Sequence, residues 1–391
     1  MKKKILLISL GLLLALLSMS WVGTGFTQPE IRIGVVAGYT GGHAVTSLAH
    51  QRGLELRLEQ IGYKIAGRPV KVIYEDCKEE PGPTVSKVRK LIEDDRVHIL
   101  LGPLLGSGIE AIAGYVKEKG VLWLPLAASG EHLTAANPMH FSEAHGWNQY
   151  GSYLAPYAYN KMGARTAVII IHDYSFGHLM GRLFKETFIK AGGEIVQEIA
   201  LPLPELDYRP YLVKVKKADV ALVFTTGFPA VRFVKQYVDL GLQKRTPVFA
   251  LGSSLDTLYR ADMGADALGM RYIFQWDPDL DTPENIKFVR DLKKKYPMIK
   301  DTSFYEMNGF VSARIIEEAL KAIKGDAENK ARFAKAVAAV DFPAPQGRFR
   351  FHPEIRAPYV TYYVFEVVEK DGKFPSKVID KIPDTSPVLP K

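Results

Sequence analysis

The chain has 391 residues, 47% of them hydrophobic, and 51 Lys and Arg against 43 Asp and Glu for a formal charge of +8. Three of those eight charges are Lys2, Lys3 and Lys4, and the other basic residues are interspersed with acids, which excludes the dense basic block of a nucleic-acid binder. The single cysteine, Cys77, excludes an intrachain disulfide.

Behind the three lysines, Ile5 to Leu17 is apolar apart from Ser9 and Gly11, and small residues follow through Gly25. A basic head, a short apolar core and a small-residue exit predict a secretory signal peptide over residues 1–28. The core falls short of the roughly 20 apolar residues that span a bilayer; an uncleaved N-terminal anchor is the alternative. With no cysteine near the exit, a lipid anchor is not expected. The expected location is periplasmic or extracellular, and the remaining chain of roughly 365 residues has the length of two domains.

The elements then alternate. Ile31 to Ala37 reads as a buried strand and His43 to Ile61 as a helix; Val70 to Tyr74 and Thr84 to Ile92 repeat the pair. His98 to Leu101 is a third strand. Ser107 with Glu110 reads as a capping box opening the next helix, and Val121 to Leu124 is a fourth strand. The pattern restarts with a helix over 148–161, a strand over 167–171 and a helix over 177–190. A strand (194–200), a short helix (211–216), a strand (220–224) and a helix (230–240) follow, then strands at 248–251 and 271–275. Helices are predicted over 283–295, where Thr282 caps and Pro283 fits the first turn, and over 304–323 and 329–340. Two β runs, 348–351 and 359–368, precede a Pro- and Lys-rich tail expected to be ordered only in part. Strands each followed by a helix predict parallel βαβ units. The late helices have no strands between them, so they must cover a sheet made earlier, and the chain must cross between two lobes more than once. Ligands of such sheets bind beyond the carboxyl ends of the strands.

Catalytic and cofactor patterns are missing from the sequence. There is no phosphate loop, no dinucleotide fingerprint after the first strand, no His-Glu-x-x-His and no Cys-x-x-Cys. Gly106-Ser107-Gly108 lacks the spacing of a nucleophile elbow. His172 and Asp173 are neighbours in a strand and point to opposite faces, so they form no simple dyad. Cys77 lies among Glu75, Asp76, Glu79 and Glu80, which raises its pKa and argues for an inert buried thiol. What remains is a set of loops at strand ends: Gly102-Pro-Leu-Leu-Gly-Ser107, Leu126-Ala-Ala-Ser-Gly130, Tyr174-Ser-Phe-Gly177 and Thr225-Thr-Gly-Phe228. Free N–H groups at helix starts with nearby hydroxyls suit a carboxylate, and aromatics supply apolar area. Plain helix capping accounts for any one loop; four at matching points favour a binding site.

Ile33-Gly-Val-Val with Tyr39-Thr-Gly41, Tyr74-Glu-Asp-Cys77, Leu101-Gly-Pro103, Leu124-Pro-Leu-Ala-Ala-Ser129, Ile171-His-Asp-Tyr-Ser-Phe-Gly177, and Phe233 to Gly241 ahead of Pro247 carry a further likeness. In order and spacing the chain resembles the type I periplasmic binding proteins of the leucine/isoleucine/valine class, receptors of ABC importers. The resemblance implies an α/β fold of two doubly wound Rossmann-like lobes joined by three crossovers, near His145, Trp276 and Phe342. The lobes would be 29–145 plus 277–341 and 146–276 plus 342–391. It implies no enzyme activity, no cofactor and no metal, a monomer, and as partners a small-molecule ligand and the membrane permease subunits. Its ligand site would be built from Tyr39, Leu105, Gly106, Ser107, Ala127, Ala128, Ser129, His145, Trp147, Phe176, Phe228 and Ser254. Of these, Gly106, Ser107, Ala127, Ala128 and Ser129 would hold a carboxylate, and Phe176 and Phe228 would close over the ligand. Leu105 stands where some relatives have a cysteine. Ser142 and Trp147 replace an Arg and an Asp of the family, and His145 and Trp147 would re-line the pocket. Ser254 takes the place of the acid that pairs a ligand ammonium, with Asp256 two residues on. A buried ammonium without an acid is costly, so an apolar or aromatic carboxylate, or an amide, is expected rather than a free amino acid. A ligand-sensing receptor of the same fold is the alternative function.

Overall fold

A computed structural model describes residues 29–126, 128–203 and 207–389. The predicted leader and Ala127 lie outside the described residues.

The first sheet is made by the early part of the chain. β1 (Ile31–Ala37) pairs in parallel with β3 (Arg68–Asp76) and β4 (Ile99–Leu101), β4 with β5 (Leu122–Leu124), and β2 (Lys64–Ile65) adds an antiparallel edge to β3. The order is β2-β3-β1-β4-β5. Two-residue strands β6 (Ala128–Ser129) and β7 (His145–Gly146) pair with each other on the way out. The second sheet holds β8 (Thr166–His172), β9 (Glu194–Leu201), β10 (Val220–Phe224), β11 (Val248–Leu251) and β12 (Arg271–Phe274), all parallel. A small hairpin, β13 (Asp341–Ala344) and β14 (Gly347–Arg350), precedes β15 (Val360–Val367) and β16 (Ser376–Thr385), which extend that sheet antiparallel. Its order is β16-β15-β12-β11-β10-β8-β9. β10, Val-Ala-Leu-Val-Phe, is buried at every position, as helices on both faces require.

The late helices Pro283–Lys295, Phe304–Ala322 and Lys330–Ala338 return to the first sheet. Phe304–Ala322 lies along the earliest helix, Ala44–Gln60, at a crossing made by two glycines. A Cβ on Gly53 would fall 1.8 Å from the Glu306 carbonyl oxygen, and one on Gly309 2.0 Å from that of His50. Arg52–Glu306 (2.5 Å) and Arg57–Glu317 (2.7 Å) tie the same two helices. Among the described residues no helix is long and apolar enough to cross a membrane.

Several sequence expectations change. The helix expected over 148–161 is two, Trp147–Ser152 and Leu154–Asn160. Pro156 has no N–H to give to a continuous ladder but is tolerated in a first turn, so the helix restarts just before it. The short helix is Arg209–Leu212, again opened by a proline, Pro210. The tail from Pro375 is the edge strand β16; its Lys377, Lys381 and Pro383 protect a sheet edge, and in sequence they read as solvated tail. The capping box at Ser107 does not form. That helix starts at Gly106, with Leu105 at the cap and Ser107 exposed. Phe342 lies in the hairpin, under the Arg314 guanidinium of the long helix at 4.8 Å.

Candidate functional site

The carboxyl ends of β1, β4 and β5 carry the first group of candidates. Tyr39 leaves β1 with its N–H on Asp76 Oδ1 (2.9 Å), while Thr40 Oγ1 donates to Asp76 Oδ2 (2.6 Å). Burial pushes Asp76 up, but the hydrogen bonds from Thr40, Lys78 and Tyr39 outweigh it and hold this carboxyl below its ordinary value. The Tyr39 ring stands edge-on to Tyr74, and its hydroxyl is buried without a partner among the described residues. Leu105 donates its N–H to Glu79 Oε2 at 3.0 Å; Glu79 Oε1 accepts from Gly38 (3.0 Å) and Leu104 (3.4 Å). This buried glutamate, just beyond β3, fastens the loop that leads into the helix, whose first-turn N–H groups take no side-chain cap. Cys77 beside it is buried, and burial, then Glu79, pushes its thiol up.

Gly106 and Gly130 flank the central feature, Trp147. The indole packs so close to Gly106 that a Cβ there would sit 3.3 Å from the ring, and a Cβ on Gly130 would sit 3.0 Å from it. On its other side Trp147 meets Phe176 edge-to-face, with ring centroids 5.8 Å apart. Phe176, just past β8, in turn meets Phe224 of β10 at 5.5 Å. Strand tips of the two sheets therefore meet through Gly106, Trp147 and Phe176.

Two predicted hydroxyls are already engaged. Ser129 is fully buried; its Oγ lies 3.0 Å from His140 Nε2, and its N–H donates to Ser142 Oγ. Burial depresses the His140 pKa to about 3, and the ring stacks on Trp123. Ser254 Oγ accepts from the Thr225 N–H at 2.8 Å and donates to the Thr225 carbonyl at 3.1 Å. Both side chains hold loops in place. Phe228, which opens its helix, is 51% exposed under the Arg232 guanidinium; it touches neither Trp147 nor Phe176 by ring contact.

His145 lies in β7, on the first passage between the sheets. Its Nδ1 meets Gln275 Oε1 at 3.0 Å, linking the first and second passages between the sheets, and its ring stacks on Tyr150 at 4.3 Å. Burial depresses its pKa to about 4, against a smaller opposite push from Gln275, so the ring is neutral. Either side of it are two buried carboxylates. Glu143 takes Asn308 Nδ2 (2.5 Å), His50 Nε2 (3.2 Å) and the Ser312 hydroxyl. Glu131 takes the N–H groups of Asn148 (3.0 Å) and Gln149 (2.8 Å) at the start of the next helix. His172 is also neutral: burial lowers it to about 4, and its Nδ1 accepts from Thr226 N–H. Asp173 pairs instead with the exposed His178 at 2.7 Å.

From Trp147 an aromatic lining continues that sequence reasoning missed. Tyr150 packs on Phe274 (6.0 Å), and Phe274 on Phe304 (4.9 Å), the first residue of the long helix. The Tyr150 hydroxyl accepts from the Ser253 N–H at 3.2 Å. Tyr174, Tyr259 and Tyr305 surround the same space: burial raises the Tyr305 phenol well above its ordinary value, and Asp256, Tyr259, Tyr150 and Tyr174 add to it. A cavity opens here, lined by Gly252, Asp256, Phe274, Trp276, Asp277 and Phe304 among others. Tyr150 and Phe304 carry no local signal beyond being aromatic. Asp256, noted in the sequence two residues beyond Ser254 but not counted in the site, lines the cavity. The arrangement can exclude water from a flat apolar solute and offer polar groups at two ends. Among the described residues no His, Cys, Asp and Glu cluster could hold a metal.

Residues 30–373 match the family model described as "Periplasmic binding protein". In the solved structures, an ABC transporter substrate-binding protein from Sphaerobacter thermophilus is 34% identical with a TM-score of 0.87, covering 91% of this chain and 99% of that one. A solute binding protein of an ABC transporter from Rhodopseudomonas palustris, in complex with 3,4-dihydroxybenzoic acid, is 26% identical with a TM-score of 0.85, covering 91% and 98%. The Leu/Ile/Val-binding protein homolog 6 of Brucella melitensis is 25% identical over 355 residues, covering 89% of this chain and 90% of its own.

Proposed function

This chain belongs to the periplasmic binding protein family, and from that premise we propose that its ligand is an aromatic or other apolar carboxylate. It is the extracytoplasmic binding component of an ABC importer, as its relatives are ABC transporter substrate-binding proteins. The observation that carries the ligand reading is Trp147, wedged between Gly106 on one sheet's tips and Phe176 on the other's. An aromatic solute slides against such walls with large apolar contact. The N–H groups of Gly106 and Ser107 at a helix start, with Ala127 and Ala128, receive its carboxylate. Ser254, where an amino-acid receptor needs an acid, has spent its hydroxyl on Thr225 and itself offers an ammonium no charge. The solved relative from Rhodopseudomonas palustris holds a dihydroxybenzoate, which fits this chemistry.

The lobes in this reading are 29–145 with 277–341, and 146–276 with 342–391. They rotate about the three passages, His145 and Gln275 moving as a linked pair, and Phe228 swings from the rim onto the ligand. Closure presents the surface that the permease reads. The protein acts as a monomer, exported by the leader at residues 1–28. Calorimetry of the mature chain with benzoate and with leucine tests this: benzoate binds at micromolar or tighter dissociation constant (about −8 kcal/mol), and leucine does not. Binding of zwitterionic amino acids alone overturns it.

A further inference from the structure

Asp256 ends the turn after β11 and is nine-tenths buried, at 9% exposure. Its Oδ1 accepts the Leu258 N–H at 2.8 Å and so caps the helix Thr257–Met263. Its Oδ2 has no hydrogen bond or ion pair with any described residue. The nearest cation, Arg260, is committed elsewhere: its Nη1 donates to Asp277 Oδ2 (3.1 Å), to the Tyr272 hydroxyl (2.8 Å) and to Ser376 Oγ. Asp277 is likewise satisfied, by Arg260, by Tyr272 and by the Asp279 N–H. The cavity at the end of the aromatic lining is walled by Phe274, Trp276 and Phe304, and Asp256 lines it with one oxygen that no described residue bonds. A carboxylate oxygen short of donors beside apolar walls is one that a ligand hydroxyl can satisfy.

We propose that Asp256 determines specificity in this cleft, selecting ligands that bear a hydroxyl at the end remote from their carboxylate. This rests on the aromatic-carboxylate reading above. The carboxylate sits by Gly106 and Ser107, the ring lies along Trp147, Phe176 and Tyr150, and the distal hydroxyl reaches Asp256 Oδ2. Burial, the leading cause, pushes the Asp256 carboxyl up to about 7, with Glu306 and Asp277 adding to it and Leu258 and Arg260 opposing. A hydroxyl suits either protonation state, because it donates to the carboxylate and accepts from the acid. A second carboxylate on the ligand is rejected by Asp256 and Asp277 together.

Calorimetry with benzoate, 4-hydroxybenzoate and terephthalate, on wild type and on Asp256→Ala and Asp256→Asn, tests it. Wild type binds 4-hydroxybenzoate about tenfold tighter than benzoate and terephthalate weakest, since a site built for a hydroxyl discriminates against its absence. In Asp256→Ala that ratio falls below about twofold; in Asp256→Asn, which keeps the shape and one acceptor, it falls part of the way. Equal binding of the two monocarboxylates by wild type, or an unchanged ratio in both variants, overturns this inference and leaves the aromatic reading standing. Failure of every benzoate to bind wild type removes both.

Discussion

Glu79 and Asp256 are both carboxylates buried at the ends of strands, one on each sheet, at 6% and 9% exposure. Glu79 is saturated: backbone N–H groups of Gly38, Leu104 and Leu105 converge on its two oxygens. Asp256 spends one oxygen on a helix cap and leaves the other facing a cavity. Glu79 thus fastens the tips of β1 and β4, whereas Asp256 is held in readiness for something that arrives. The difference is one of hydrogen-bond supply. A carboxylate ringed by donors belongs to the fold, and one left short of donors in a cleft belongs to function.

The comparison breaks first at Glu79. Glu79→Ala leaves three backbone donors unpaired and is expected to cost about 4 kcal/mol in urea unfolding; Asp256→Ala, losing a single cap, costs about 1 kcal/mol at pH 4, where Asp256 carries no buried charge. Equal losses would erase the distinction. A smaller effect sharpens it through pH. The folded Asp256 pKa of about 7 lies above its ordinary 3.8, so folded protein keeps this proton to higher pH than unfolded chain. No penalty exists below pH 4; stability is lost as pH rises from 4 through 7, and the full penalty remains above that. Asp256→Asn should therefore stabilise by about 2 kcal/mol at pH 8, within the ~4 kcal/mol ceiling of such a shift, and gain nothing at pH 4. A gain that is the same at both pH values would show that the carboxyl is not buried as a charge. The smallest effect is on the rim. Phe228→Ala should shift unfolding by less than about 0.5 kcal/mol, since the ring is half exposed, yet weaken ligand binding about fivefold, the worth of burying part of a ring on closure. A loss of stability without a loss of affinity would place Phe228 with Glu79, among residues that serve the fold.

Much of the fold was legible because its causes are local. Continuous apolar runs such as Thr166–His172 and Val220–Phe224 are strands whatever surrounds them, and Thr282 with Pro283 opens a helix by its own chemistry, the Thr282 Oγ1 accepting the Asn285 N–H at 3.3 Å. The resemblance, carried by short pieces in order, fixed the family and the importer role. Where a partner comes from far along the chain, sequence was silent or misled. Ser107 and Glu110 make a good capping box on paper, but the helix already begins at Gly106, behind a loop that Glu79, from beyond β3, holds by the Leu104 and Leu105 N–H groups. Lys377, Lys381 and Pro383 look like a loose tail until β15 supplies the ladder that makes them an edge strand.

The site divides in the same way. Sequence alone put Gly106 and Phe176 in loops at strand ends, because such loops are properties of a few neighbouring residues, and the resemblance put Trp147 at the first passage. Only the tertiary structure decided that these three touch one another, that Ser129 and Ser254 turn their hydroxyls inward to His140 and Thr225, and that Asp256 is the acid left with an unmet valence. Burial and hydrogen-bond saturation are sums over neighbours brought together by folding, and no stretch of chain carries that sum within itself.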